Sequence, residues 1–123
     1  PAVNDLERDE DPQGLWRGYA NDQLKLYHRQ LFEQADMLVF LQVPSFEKVY
    51  EWRGLQEKKL ARSARDNHAV MNEQQLARFI QHYERITRSC LQQLPQQADL
   101  ILQLDDNHAI QSLTARQPGA ANA

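Results

Sequence analysis

Residues 35–60, ADMLVFLQVPSFEKVYEWRGLQEKKL, decide how the chain reads. The first ten, ending at Pro44, are mostly apolar, with branched and aromatic side chains, as in a buried strand. Ser45 follows as a cap, and from Phe46 to about Arg62 the spacing is helical. At about 100° per residue, Phe46, Val49, Tyr50 and Leu60 point one way, with Arg53 and Glu57 between them. Burying an unpaired charge costs several kcal/mol. The two residues are therefore an internal ion pair or a group aimed at a ligand. Four positions apart, they can join along the helix, worth only about 0.2–0.5 kcal/mol on an exposed surface. Trp52 and Leu55 face elsewhere and need a second surface. Lys58, Lys59, Arg62 and Arg65 run down the helix end, where cations are favourable by themselves and solvation is the plain reading. Gly54 weakens the helix by up to about 1 kcal/mol, which points to a bend or a close approach.

Working outward, Asp11 before Pro12 is a helix-start signal, and a helix is expected to about Gln34. Leu15, Trp16, Tyr19, Leu26, Tyr27 and Leu31 share roughly half its circumference, an arc that predicts packing against more than one neighbour. After the central helix, ARSARDNHAV (residues 61–70) has little pattern and reads as a mobile loop. Asn72 with Gln75 gives a capping-box signature for a helix to about Leu94, which Pro95 is expected to end. Its stripe is Leu76, Phe79, Ile80, Tyr83, Thr87, Cys90, Leu91 and Leu94, with Tyr83 read as core. Arg78 and Arg85 lie opposite and read as solvent-facing. A second strand is expected around Leu100–Leu104, with Asp105–Asp106 as a turn or a strand-tip carboxylate pair. Residues 1–113 then form one unit, and 114–123 a frayed, disordered tail.

The order helix, strand, helix, helix, strand predicts an α/β fold, mostly helical, with two parallel strands joined by a right-handed crossover. Parallel sheets normally contain more strands and are covered on both faces. A free pair leaves an open edge, so the sequence reads as one side of a larger sheet, with self-association through that edge as one outlet.

The 123 residues, 41% hydrophobic and 25% charged, fit a single globular domain. Cys90 is the only cysteine, which excludes an intrachain disulfide framework and makes a cytoplasmic setting the plain expectation. The longest apolar run, Met37–Leu41, is too short for a bilayer, so no membrane role is expected. Residues 1–44 hold eight acids against four bases, and residues 45–90 hold nine bases against six acids. That basic middle suits a small anion, whereas a pI near 5.8 without a continuous basic stripe argues against nucleic acid. His28, His68, His82 and His108 lack ligand spacing, so no metal is expected to be held by the protein itself. Cys90 reads as an inert core thiol. Nucleophile-elbow, dinucleotide-binding and phosphate-loop motifs are absent, and no catalytic residue is expected in this chain.

LQVPSFEKVYEWRGLQEKKL, MNEQQLARFIQHYERITR and ADLILQLDDN, led by NDLERDEDPQGLWR, together resemble the C-terminal half of the D-glycerate 3-kinase-like P-loop kinases, over about residues 4–110. The resemblance implies a parallel sheet flanked by helices. It also implies ATP with Mg2+ at a Walker A loop, and phosphoryl transfer to the hydroxyl of a small-molecule substrate. It makes Leu38–Val43 the penultimate core strand and Phe46–Arg62 a lid helix. Arg53 becomes the phosphate-facing arginine and Glu57 its orienting partner. Tyr83 and Arg85, within HYERIT, become candidate substrate or nucleotide contacts. The Walker A loop, the magnesium-binding acids and any catalytic base are then expected upstream of Pro1, so this chain alone is expected to be inactive. The reading from a different class is an independent helical interaction module using Trp52 and Leu55.

Overall fold

A computed structural model describes residues 1–63 and 70–116. Helix α1 spans Asp5–Glu10, α2 Leu15–Gln30, α3 Phe46–Ser63 and α4 Glu73–Gln97. A 3-10 turn, Phe32–Gln34, follows α2. The strands are β1, Val39–Gln42, β2, Leu100–Leu104, and β3, Ile110–Ala115, in the spatial order β1-β2-β3. The protein is mixed α/β and mostly helical, with a small open sheet.

The pairing of β1 with β2 is parallel, with Val39 beside Leu100 and Leu41 beside Leu102, as the sequence predicts. The strand expected over 35–44 is held to Val39–Gln42, with Leu38 just ahead of it also bonded to the second strand through its carbonyl. A third strand corrects the two-strand expectation. Asp105 Oδ1 accepts the N–H groups of Asn107 and Ala109, closing a turn that returns β3 antiparallel to β2. Thr114 and Ala115 therefore belong to the sheet, and Arg116 N–H still donates to the Asp99 carbonyl. The frayed tail does not begin at 114; residues 117–123 lie outside the described set, as do 64–69 of the expected loop.

Other helix boundaries also differ from expectation. The acidic opening forms α1, capped by the Asn4 side chain on the Glu7 N–H. Helix α2 begins only after Gly14, whose φ of 74° suits a residue without a side chain. Asp11 acts from a distance, its two carboxylate oxygens accepting from the Trp16 and Arg17 N–H groups. Helix α4 opens on the predicted capping box but passes Pro95. The missing proline N–H removes only one bond in the final turn, and Ala98 N–H donating to the Leu94 carbonyl closes the end.

Phe46 of α3 with Leu76 and Ile80 of α4 forms the buried core cluster, with Met71 and Phe79 packed against it. Little else is buried. No residue of α2 is buried, so its wide apolar arc finds no cover among the described residues, contrary to the expected packing. Tyr83, expected in the core, is 48% exposed. Arg78 and Arg85, expected to face solvent, instead pair with Glu10 and Glu7, because α1 lies across that side of α4.

The sheet is similarly uncovered. Leu38 faces β2, its carbonyl accepting from the Asp99 and Leu100 N–H groups. Backbone groups alternate along a strand, so those of Val39 and Leu41 point to the outer edge. Their side chains are exposed too, at 43% and 56%.

Gly54 is explained by neither a bend nor a close approach. A Cβ there would meet Leu76 Cδ2 at 3.5 Å, an ordinary contact. Gly54→Ala is expected to stabilise the protein by about 0.5–1 kcal/mol through helix propensity, seen as a raised midpoint in urea unfolding.

Candidate functional site

The Arg53–Glu57 pair is formed, and its two halves sit in different environments. Arg53 Nη2 lies 2.6 Å from Glu57 Oε1, with the arginine side chain 27% exposed and the glutamate 5%. The other oxygen, Glu57 Oε2, accepts the Met71 N–H at 3.1 Å, just ahead of α4. A buried carboxylate thus joins α3 to the entry of α4. It has both a charge partner and a backbone donor, the condition for tolerating such a group inside. The Arg53 guanidinium is fixed further by Nη1 donating to Gln56 Oε1 at 3.0 Å. Its carbon lies 5.6 Å from the centre of the Phe79 ring. The result is a cation with its inner side anchored and its outer side still reachable.

Arg53 lines the same groove as Val43, the residue that follows β1 and leads through Pro44 into α3. In open parallel sheets, ligands collect outside the carboxyl ends of the strands. A guanidinium held there offers a planar, fixed donor fork to an anion. Tyr83 joins the same surface at one remove, its ring 5.2 Å from that of Phe79.

Arg85 does not join them. Its Nε and Nη2 donate to the two oxygens of Glu7 at 2.8 and 2.7 Å, and Nη2 also reaches the Pro1 carbonyl. Arg85 therefore clamps α1 onto α4. The hydrogen bond from Arg85 holds the Glu7 carboxyl below its ordinary value. A depressed folded value means that the stabilisation is complete above the ordinary glutamate range and is lost as pH falls through the folded value. Glu7→Gln is accordingly expected to lower stability at pH 7 and to remove part of the acid sensitivity below the glutamate range. Thermal melts across that range check both effects. Burial raises the Asp11 carboxyl, but N–H donation from Arg17 and Trp16 and the Arg17 charge outweigh it, for a net lowering.

Spacing identified Arg53 and Glu57 but missed Gln56, Phe79 and His108. The first signal was available, since Arg53 and Gln56 stand three apart on one helix. His108 was not legible, because the β2–β3 turn carries it to Trp52, ring centres 3.8 Å apart. Of the other sequence candidates, Trp52 gains partial cover from that turn, while Leu55 remains 45% exposed. Asp105 is a turn residue, as the plainer alternative expects. Asp106 reaches Lys48 at 3.5 Å. Cys90 is half-buried, and burial pushes its thiol up.

Among the described residues, no group of three or more His, Cys, Asp or Glu is placed to hold a metal ion, and no helix is long and apolar enough to cross a membrane. No protein-family model, curated protein or solved structure matches the chain.

Proposed function

We propose that this chain is the lid-bearing C-terminal part of an ATP-dependent small-molecule kinase of the D-glycerate 3-kinase type. In this reading it acts when joined to a part carrying the Walker A loop and the Mg2+ ligands. The observation that carries the proposal is the anchored yet reachable Arg53, which shares a groove with Val43 just past the parallel strand β1. Phosphoryl transfer asks the protein chiefly for positioning and charge stabilisation. A guanidinium already held by Glu57 and Gln56 loses little freedom when it meets a phosphate. The outward backbone of Val39 and Leu41 supports a further strand beside β1, as the larger sheet of such a kinase requires. Arg53 grips the transferring phosphates, Glu57 orients it, and the acceptor is a small hydroxyl compound. Tyr83 lies near enough to this surface for a substrate contact, whereas Arg85 serves the α1 clamp.

Titrating ATP–magnesium against the intact gene product tests the reading. Removing Arg53 alone strands the Glu57 charge, so the comparison is the double variant R53A/E57Q. The expected result is an affinity about tenfold weaker, equivalent to about 1.4 kcal/mol, with slower transfer. Unchanged affinity and turnover would end the lid assignment. ATP-dependent turnover by the 123-residue chain alone would likewise refute its dependence on another part.

The uncovered stripe of α2, with Leu15 70%, Trp16 73% and Tyr19 62% exposed, favours a second reading as a protein-interaction module. An in-frame strand and G-x-x-x-x-G-K-[ST] encoded ahead of Pro1 would favour the kinase.

A further inference from the structure

Helix α2 stands away from the rest of the described chain. Of its 16 residues only Arg17 is partly covered, and the others are exposed on every side. A helix of that length without a packed face is marginal in water, because most helical stability in proteins comes from burying an amphipathic face. Four aromatic side chains on α2 and the turn after it, Trp16, Tyr19, Tyr27 and Phe32, are between 43% and 73% exposed. At about 150–250 Å² for a whole ring, they leave on the order of 450 Å² uncovered. Leu15, Leu24, Leu26 and Leu31, between 40% and 70% exposed, extend the same patch. Together they exceed the roughly 300–600 Å² of the largest patch on an ordinary monomer and near the roughly 800 Å² that each partner buries in a stable interface.

The charges bordering this patch are self-complementary. At about 100° per residue, Asp22 and Arg29 both flank the apolar arc on its Leu15 side. Seven residues separate them, about 10 Å along the axis, so they cannot pair within one helix. Asp22 reaches only Lys25, at 3.1 Å, with the two side chains 72% and 74% exposed, a pair that water screens strongly. Two α2 helices side by side and parallel would set Asp22 against Asp22 and Arg29 against Arg29. Antiparallel, about a two-fold axis at the level of Lys25 and Leu26, each Asp22 faces Arg29 of the second copy. That register also sets Tyr19 level with Phe32 of the second copy, and Tyr27 with Leu24 of the second copy. We infer that α2 is covered by the α2 of a second copy of this chain, in an antiparallel dimer built on one shared patch. The inference rests on the reading of α2 as an interaction surface and names its partner; it uses neither Arg53 nor the edge of β1.

Sedimentation equilibrium of the 123-residue chain tests the dimer. The expected dissociation constant is micromolar or tighter, and the far-UV helical signal is expected to fall on dilution as α2 loses its cover. Leu26→Glu is expected to weaken association about 100-fold, because the two-fold axis applies the change twice. No residue of α2 is buried, so the variant is expected to keep the cooperative melt of the Phe46–Leu76–Ile80 cluster. Asp22→Arg and Arg29→Asp are each expected to weaken association about tenfold, and D22R/R29D to recover most of the loss. Since the two positions cannot meet within one helix, that recovery reports contact between copies. A monomer at every concentration would overturn the inference. A dimer indifferent to Leu26→Glu would place association on another surface, such as the β1 edge, and overturn it as well. Single reversals without effect, or a double variant no better than either, would overturn the antiparallel pairing. A monomeric intact gene product with protected α2 amides would show that another part covers the helix, removing the second copy while leaving α2 an interaction surface.

Discussion

Glu57→Ala is expected to cost about 3 kcal/mol of folding stability, one of the two largest single-site losses in the molecule. The carboxylate is buried and serves two partners, Arg53 at 2.6 Å and the Met71 N–H at 3.1 Å. Truncation leaves a half-buried guanidinium without its counter-charge and a backbone donor without an acceptor. It also opens space where α3 meets the entry of α4. Glu57→Gln keeps an acceptor for Met71 and most of the volume, so it is expected to lose about 1–2 kcal/mol. Urea unfolding of the pair checks the order. Equal losses would mean that packing, not the charge and its hydrogen bonds, holds the helices together.

Ile80→Ala is expected to cost about as much, roughly 3 kcal/mol, by a different route. Ile80 is 4% exposed and packs with Phe46 and Leu76 in the cluster that joins α3 to α4. Elsewhere among the described residues, only Leu6 and Ala98 are buried hydrophobics. A core this small cannot redistribute a lost side chain, so the cavity term stays nearly whole. Ile80→Val keeps most of the volume and is expected to cost about 1 kcal/mol. The ratio of the two losses, read from thermal melts at pH 7, tests whether this cluster is the main apolar anchor.

Elements with strong periodicity or explicit caps were legible in the sequence. Helices α3 and α4, the Asn72–Gln75 capping box and the parallel pairing of β1 with β2 all follow from local pattern. Elements held by distant partners were not. Helix α1 has only six residues, too few for periodicity. It is fixed by the Glu7–Arg85 and Glu10–Arg78 pairs and by Asn4 donating to the Gln81 carbonyl. Strand β3 is exposed along its whole length and carries Gln111, Ser112 and Thr114, so it exists through backbone pairing and a turn rather than a buried face. Of the candidate site, the i,i+4 relation of Arg53 and Glu57 was readable. Which of the two is buried, and what else it binds, depends on where α4 begins. Tyr83 shows the limit of a helical stripe. Its position matches Leu76 and Ile80, yet no element among the described residues covers it well enough to bury it.

The outer edge of β1 is where a further strand of a larger sheet would pair. Amide hydrogen exchange at Val39 and Leu41, measured in the 123-residue chain and in the intact gene product, addresses that edge most directly. Completion of the sheet by a further strand predicts fast exchange in the chain alone and protection about 100-fold greater in the intact product. Equally fast exchange in both would show the edge bare in the working protein and contradict the account.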